Sequence, residues 1–426
     1  MNIYDPLYGR YSLSEISRDL CVLPEVRRLS QIRLLNSITP TLATLSELRR
    51  YAHTLGVLHL FGLWKRTVGK RYATKDVDAL EVAIILHDVA TPPFGHLFEY
   101  VLKETIGWDH ESAAVTTLLK AYSSASTAQQ IFAGRRPKVL DYIERRGIDL
   151  ELVKAILTKR HHLSKLIFGV VDFDNLDNVW RMAWSLGLPE LSSGNASPEV
   201  LAAHIDIDDD GRLRLADEHV PALESWANLR RAVYNVLVFD EATVASQTVL
   251  TYAIKQGLLR GLISSEDWFL HDESLLSRLS SDREIGLLIE QQYLGQLPFP
   301  ITTIQIRWKA AKLFDLPRAS IEEMVTDNLK EMLGEEPWVY VFKERGSFEK
   351  EVKFANEAGV ERTLGATSKS LVISVFSKRL VSAHRRRLAE HAVVKLLADN
   401  DVLAEDFMRV VAQGEGTIAK SERFDF

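Results

Sequence analysis

The chain has 426 residues, 46% of them hydrophobic and 26% charged, an ordinary composition for a folded protein with a large core and a smaller second unit. A formal net charge of −6 gives no global basic field for nucleic acid, and no run approaches the roughly 20 apolar residues that cross a bilayer as a helix. A single cysteine, Cys21, excludes a disulfide framework within the chain, and an amino terminus carrying Asp5 and Arg10 does not read as a secretory signal, so a cytoplasmic protein is expected.

From about Leu13 to Leu297 apolar residues recur at spacings of three and four, as in Leu42, Leu45, Leu48, Tyr51, Leu55 and Leu58, which predicts amphipathic helices almost throughout. Breaks fall at Gly69-Lys70, Thr91-Pro92-Pro93, Gly107-Trp108-Asp109, Gly134-Arg135-Arg136-Pro137 and the polar stretch from Ser192 to Pro198. Asp206, Asp208 and Asp210 alternate as in a calcium loop, but no acidic residue follows where the last ligand belongs, so a solvated turn in a surface loop or small hairpin is expected. One helix is expected from Arg230 to Arg260. After Pro298-Phe299-Pro300 the texture changes: Trp338 to Phe342 and Leu371 to Phe376 are short β-branched and aromatic runs, followed by a helix from Ala383 to Leu397. Arg385, Arg386 and Arg387 read as a solvated face of that helix, and the residues after Gly414 as a loose tail. The expected fold class is mostly α: a helical core over residues 1–297 and a small C-terminal α+β lobe over 298–426.

The chemistry centres on His87-Asp88, at the end of the apolar run Leu80 to Leu86, because adjacent imidazole and carboxylate can grip one metal ion together. Three other segments offer ligand-type side chains: Arg50-Tyr51-Ala52-His53, the stretch Pro92-Pro93-Phe94-Gly95-His96 with His110-Glu111, and Asp172-Phe173-Asp174. Read singly, His53 or Asp174 is an ordinary structural side chain; the weight lies in the combination. Phosphate-ester hydrolysis needs charge neutralisation, an activated water and a proton donor, and histidine and aspartate supply all three. One divalent ion is expected, manganese, magnesium or iron, with zinc also compatible with the donor set.

On these residues the chain resembles the HD-domain superfamily of metal-dependent phosphohydrolases, and within it the deoxynucleoside triphosphate triphosphohydrolases. The likeness begins at Asp5-Pro6-Leu7-Tyr8-Gly9, continues through Val26-Arg27-Arg28-Leu29 and Arg50 to Gly56, and covers the helical part to about residue 297. It implies an HD-domain helical core in which His53, His87, Asp88 and Asp174 bind the metal. Asp174 is preferred to Asp172 because the run from Asp172 to Asp177 fits the family's D-x-D-x-x-D pattern, whose second aspartate is the ligand. By the same resemblance His96 is the candidate acid for the leaving 5′ oxygen, oriented by Glu99. His110 is a second active-site histidine, with Glu111 beside it. Arg50, one helical turn before His53, is a candidate phosphate contact, and Arg230 a candidate clamp on the triphosphate.

The departures from the family pattern gather at the substrate. Thr91 stands where a further histidine is usual, and Asn175 where a lysine contacts phosphate. Leu34 replaces a glutamine that reads the sugar 3′ hydroxyl, Asn178 and Met182 replace a tyrosine and an aspartate, and Val238 a tyrosine near the base. Such replacements change which sugar is accepted more than they change the chemistry. The leading expectation is hydrolysis of deoxynucleoside triphosphates to deoxynucleoside and triphosphate, in nucleotide-pool control or phage defence. Alternatives are a phosphomonoesterase or phosphodiesterase on another nucleotide, and a nucleotide-sensing scaffold with little turnover. The resemblance also implies a homo-oligomer and a nucleotide effector; neither membrane nor nucleic acid is required.

Overall fold

The computed structural model describes residues 1–119, 137–188, 197–307, 311–345, 350–367, 369–400, 402, 407–411 and 420–423. Part of the break expected at Gly134 to Pro137 and most of the polar stretch from Ser192 lie outside these residues.

Two short strands, β1 (Asn2–Asp5) and β2 (Gly9–Ser12), form an N-terminal hairpin. Helix α1 (Arg50–Arg66) and helix α2 (Thr74–Leu86) then pack together at the centre. From Ala79 to Leu86 every side chain of α2 is buried, Glu81 included, so this helix is enclosed on all sides rather than amphipathic. Each large apolar side chain in that run contributes about 1.5–3 kcal/mol through burial. Glu81 is tolerated there because Lys65 Nζ reaches it at 2.9 Å and the hydroxyls of Ser14 and Ser17 donate to it. Where the apolar run ends, the chain turns through His87, Asp88 and Pro92-Pro93 into helix α3 (His96–Ile106). The turn is strained: Phe94 has φ +54°, and its N–H is tied to Asp272 Oδ1 at 2.9 Å. Helix α4 (Phe173–Leu186) packs across α1 and against helix α5 (Val220–Phe239).

The acidic stretch forms a small hairpin, β3 (Asp206–Ile207) with β4 (Leu213–Arg214), whose turn is closed by Asp208 Oδ1 accepting the backbone N–H of Asp210 and of Arg212. The single helix expected from Arg230 to Arg260 is instead two, α5 and α6 (Glu241–Leu259). Asp240 ends the first in an extended conformation and caps the second by accepting from Thr243 N at 2.8 Å, so Arg230 lies inside α5 rather than at its start.

Beyond residue 298 a five-stranded antiparallel sheet runs in the order β11-β10-β5-β9-β6, with β5 (Phe299–Arg307), β6 (Trp338–Arg345), β9 (Lys369–Ser377), β10 (Phe407–Val411) and β11 (Lys420–Arg423). One face, carrying Ile304, Val341, Ile373 and Val375, is covered by α7 (Arg318–Leu333) and α8 (Ala383–Ala398). The alternate residues Trp338, Tyr340 and Phe376 face Val244, Ala245 and Val249 of α6, as the period of two in a strand requires. The tail expected after Gly414 gives way at Lys420–Arg423, which pair with Phe407–Val411. Arg385, Arg386 and Arg387 are exposed, as read. A second small sheet joins β4 to β7 (Val352–Ala355) and β8 (Glu361–Leu364), and Val352 and Phe354 pack into the helical core. The result is a helical core with a small α+β lobe. Among the described residues no helix is long and apolar enough to cross a membrane.

Candidate active site

Helices α1 and α4, with the turn that follows α2, bring the ligand-type residues together. His53 lies on the buried face of α1, His87 and Asp88 follow the last turn of α2, and Asp174 is in the first turn of α4. Ligand atoms of His53, His87 and Asp88 lie within 4.8 Å of one another. Asp174 Oδ1 is 2.8 Å from His53 Nε2 and 3.5 Å from His87 Nε2. Asp172 has another place: it caps α4, accepting from the Asn175 N–H at 2.7 Å and from the Asn175 amide.

Both imidazoles are anchored through Nδ1, so that Nε2 turns inward. His53 Nδ1 donates to Asp177 Oδ2 at 2.7 Å, and His87 Nδ1 to the Ile84 carbonyl at 2.6 Å. His87 Nε2 is buried without a hydrogen-bond partner, and an orphaned imidazole nitrogen facing a carboxylate is a group that a cation satisfies. Two imidazoles and two carboxylates fit a divalent metal of the manganese, iron, magnesium or zinc kind, and the donor set does not choose among them. Burial alone would depress the pKa of His53, but hydrogen bonds to Asp174 and Asp177 outweigh it and raise it to about 10. For His87 the Asp88 and Asp174 charges likewise outweigh burial and raise it to about 9. Asp174 is held well below the usual carboxylate range, burial being outweighed by the two imidazoles. A metal ion would take the place of those protons.

Arg50 donates to Asp88 Oδ2 at 2.9 Å, and its Nε is buried without a partner. It is therefore tied across helices to a candidate ligand, not to a neighbour on its own helix. Gly95 makes room for this guanidinium: a Cβ there would lie 2.7 Å from Arg50 Nη2 and 2.6 Å from Asn36 Oδ1. Thr91, standing where the family pattern has a histidine, donates from its hydroxyl to Asp88 Oδ1 at 3.0 Å.

A second cluster joins His96 and Glu99 of α3 to His110, which follows that helix. His96 Nδ1 donates to Glu99 Oε2 at 2.8 Å, and His110 Nδ1 to Glu99 Oε1 at 2.7 Å, with the ring centroids of the histidines 5.8 Å apart. Burial pushes the Glu99 carboxyl up, but the two histidine hydrogen bonds outweigh it and hold the group well below its usual range. The same bond to Glu99 outweighs burial at His110 and raises its pKa. The His96 side chain is 49% exposed and that of His110 13%, so His96 opens to solvent while the rings of His53 and His87 do not. The Glu111 side chain lies outside the described residues.

The remaining candidates sit beside α4. Arg230 Nη1 donates to Asn175 Oδ1 at 3.0 Å and its guanidinium lies 4.5 Å from the Tyr234 ring centre. Asn178 Oδ1 is buried without a partner. Leu34, Met182 and Val238 are buried and offer no polar atom to a sugar or base. Sequence reading gave no role to Asp177, Arg181 or Asp272, which hold ligands and turns in place. The signals available were the place of Asp177 as the last aspartate of the D-x-D-x-x-D run and its i, i+4 spacing to Arg181.

Residues 50–164 match the HD domain family, a span containing His53, His87, Asp88, His96 and His110 but not Asp174. The deoxynucleoside triphosphate triphosphohydrolase SAMHD1 of Gallus gallus is 27% identical over 120 residues, covering 26% of this chain and 19% of that protein. Its Homo sapiens counterpart is 26% identical over 122 residues, with the same coverage of 26% and 19%. The match thus spans about a fifth of the length of these curated relatives. An uncharacterized protein of Methanocaldococcus jannaschii is 20% identical over 449 residues, covering 99% of this chain and 89% of that one. Among solved structures, a phosphohydrolase from Bacteroides thetaiotaomicron shares the fold with a TM-score of 0.62 at 17% identity, over 88% of this chain and 99% of its own. Over residues 50–164 the chain resembles the HD domain family, its helical fold is shared with a solved phosphohydrolase, and its partial sequence likeness is to a deoxynucleoside triphosphate triphosphohydrolase.

Proposed function

We propose that the chain hydrolyses deoxynucleoside triphosphates at the α-phosphate, releasing deoxynucleoside and intact triphosphate, with one divalent metal ion held by His53, His87, Asp88 and Asp174. The observation that carries this reading is the buried, unpartnered His87 Nε2 facing Asp174, with the His96-Glu99-His110 cluster formed by α3 and the segment that follows it. Bound there, a divalent cation supplies neutralisation of phosphate charge and activation of water.

The chain's own residues supply the rest. Arg50, fixed at one nitrogen by Asp88, offers its remaining N–H groups to a phosphate oxygen. His96, tied at Nδ1 to Glu99, keeps Nε2 free to protonate the leaving 5′ oxygen. His110, oriented by Glu99, contacts the α-phosphate, and Arg230 with Asn175 and Asn178 lies along the remainder of the substrate. Glu111 stays assigned by resemblance alone. Nucleotide-pool control or phage defence, a cytoplasmic setting, a homo-oligomer, a nucleotide effector and a division of the chain at residue 298 belong to the same proposal.

A second reading, a phosphohydrolase acting on another nucleotide, is favoured by the buried apolar side chains of Leu34 and Met182. The deciding experiment incubates the protein with manganese, magnesium or iron against deoxynucleoside triphosphates, ribonucleoside triphosphates and monophosphates, with chromatographic identification of products and His87→Ala as control. Deoxynucleoside plus triphosphate, absent in the variant, supports the first reading. Orthophosphate from a monophosphate, with triphosphates untouched, replaces it by the second.

A further inference from the structure

The N-terminal motif Asp5-Pro6-Leu7-Tyr8-Gly9 is remote in sequence from every candidate ligand, yet the fold sets it directly behind one of them. Asp177, one turn along α4 from Asp174, accepts four hydrogen bonds, two on each oxygen. Oδ2 takes His53 Nδ1 at 2.7 Å and Arg181 Nε at 2.9 Å; Oδ1 takes Tyr8 Oη at 2.8 Å and Arg181 Nη2 at 2.9 Å. Arg181 Nη2 also reaches Asp5 Oδ2 at 3.0 Å, which ties the hairpin to the same guanidinium. Asp177 and Arg181 are 0% and 2% exposed. With its lone-pair directions all engaged, the Asp177 carboxylate has no capacity left for a metal ion, whereas Asp174, one turn earlier, faces His53 Nε2 and His87 Nε2.

The fourth element is a side chain that is missing. Gly56 lies one turn after His53 on α1, inside a helix, where glycine is a poor choice. A Cβ there would stand 1.9 Å from Asp177 Oδ1 and 2.4 Å from Arg181 Nη2. The absence of a side chain is what lets the carboxylate and guanidinium lie flat against α1 and reach the ring of His53.

We propose that Asp177, seated on Gly56 and clamped by Arg181, Tyr8 and Asp5, is a positioning residue for the metal centre, fixing His53 as the Nδ1–H tautomer with Nε2 free for the metal. The N-terminal hairpin is therefore part of the metal centre and not an appendage. This rests on the reading of His53 as a ligand. Carboxylates that orient a ligating imidazole in this way are worth 10–100-fold in metal affinity.

The test measures Mn²⁺ affinity of the full chain by titration calorimetry for the wild type and for Gly56→Ala, Asp177→Asn, Tyr8→Phe and His87→Ala, together with imidazole ¹⁵N shifts in the presence of diamagnetic Mg²⁺ and the melting temperature without metal. We expect Asp177→Asn and Gly56→Ala to weaken Mn²⁺ binding about 10–100-fold, and the His53 ¹⁵N shifts to move toward the other tautomer. Tyr8→Phe, which removes one of four bonds, is expected to cost less than tenfold. If Gly56→Ala does not fold, the near-isosteric Asp177→Asn decides. Wild-type affinity and an unchanged His53 signal in Asp177→Asn, while His87→Ala loses the metal, would overturn the inference and leave the metal centre standing. Undiminished binding in His87→Ala would overturn the metal centre, and the inference with it.

Discussion

Two histidine clusters lie a few residues apart in the chain and differ in what surrounds them. Around His53 and His87 the imidazoles are buried, each Nδ1 is spent on an anchor, and the inward nitrogens converge on Asp174. Around His96 and His110 both Nδ1 atoms meet a single carboxylate, Glu99, and the His96 ring opens to solvent. The ligand atoms of either cluster are close enough to hold an ion. The difference is that the first cluster gathers acceptors round an unpartnered nitrogen, while the second neutralises one carboxylate with two imidazoles. The proposed assignment gives the metal to the first cluster and the proton to the second.

The largest effects should come from breaking the first cluster. His87→Ala or Asp174→Ala is expected to abolish both metal retention and turnover, while Asp172→Asn, at the helix cap, keeps the metal; metal analysis after gel filtration checks both. Turnover that survives the Asp174 change removes that residue from the ligand set. In the second cluster, His96→Ala should lower kcat by about 10²–10⁴-fold with metal content unchanged. Glu99→Gln should act chiefly on the pH profile. The bond to Glu99 raises the His110 pKa against burial, so activity that needs the imidazolium is present at low pH and lost as pH rises through that raised value. Removing the carboxylate lowers the His110 pKa, so the alkaline limb of kcat/KM should move to lower pH; an unmoved limb contradicts the assignment. Mn²⁺ at about 100 times its Kd should stabilise the wild type by about 2.7 kcal/mol and His87→Ala not at all, measured by denaturant unfolding. The smallest effect belongs to Cys21→Ser: this buried thiol, its pKa pushed up to about 12 by burial, is far from thiolate chemistry, and turnover should stay near normal.

The parts of the fold that were legible are those in which local pattern and environment agree. The unbroken apolar run Leu80 to Leu86 is enclosed in the core, and the β-branched runs at Trp338 and Leu371 are strands. The break at Asp240 was missed although Asp240 and Thr243 have the spacing of a helix cap, because apolar residues continue on both sides of it. The strand β5 was hidden because Phe299-Pro300 read as a boundary, while its pairing partner lies about 70 residues further on. In the site, ligand types could be read from adjacent residues such as His87-Asp88. What orients them could not, since Asp177 meets His53 only once α1 and α4 cross, and Gly56 matters through an atom it lacks.

The central claim is that holding the metal and moving the proton are separate tasks, and it is tested most directly by measuring Mn²⁺ affinity and turnover together in His87→Ala and His96→Ala. The account predicts that His87→Ala loses both, whereas His96→Ala binds Mn²⁺ as the wild type does and turns over at a small fraction of its rate. Loss of Mn²⁺ binding in His96→Ala, or its retention in His87→Ala, would contradict it.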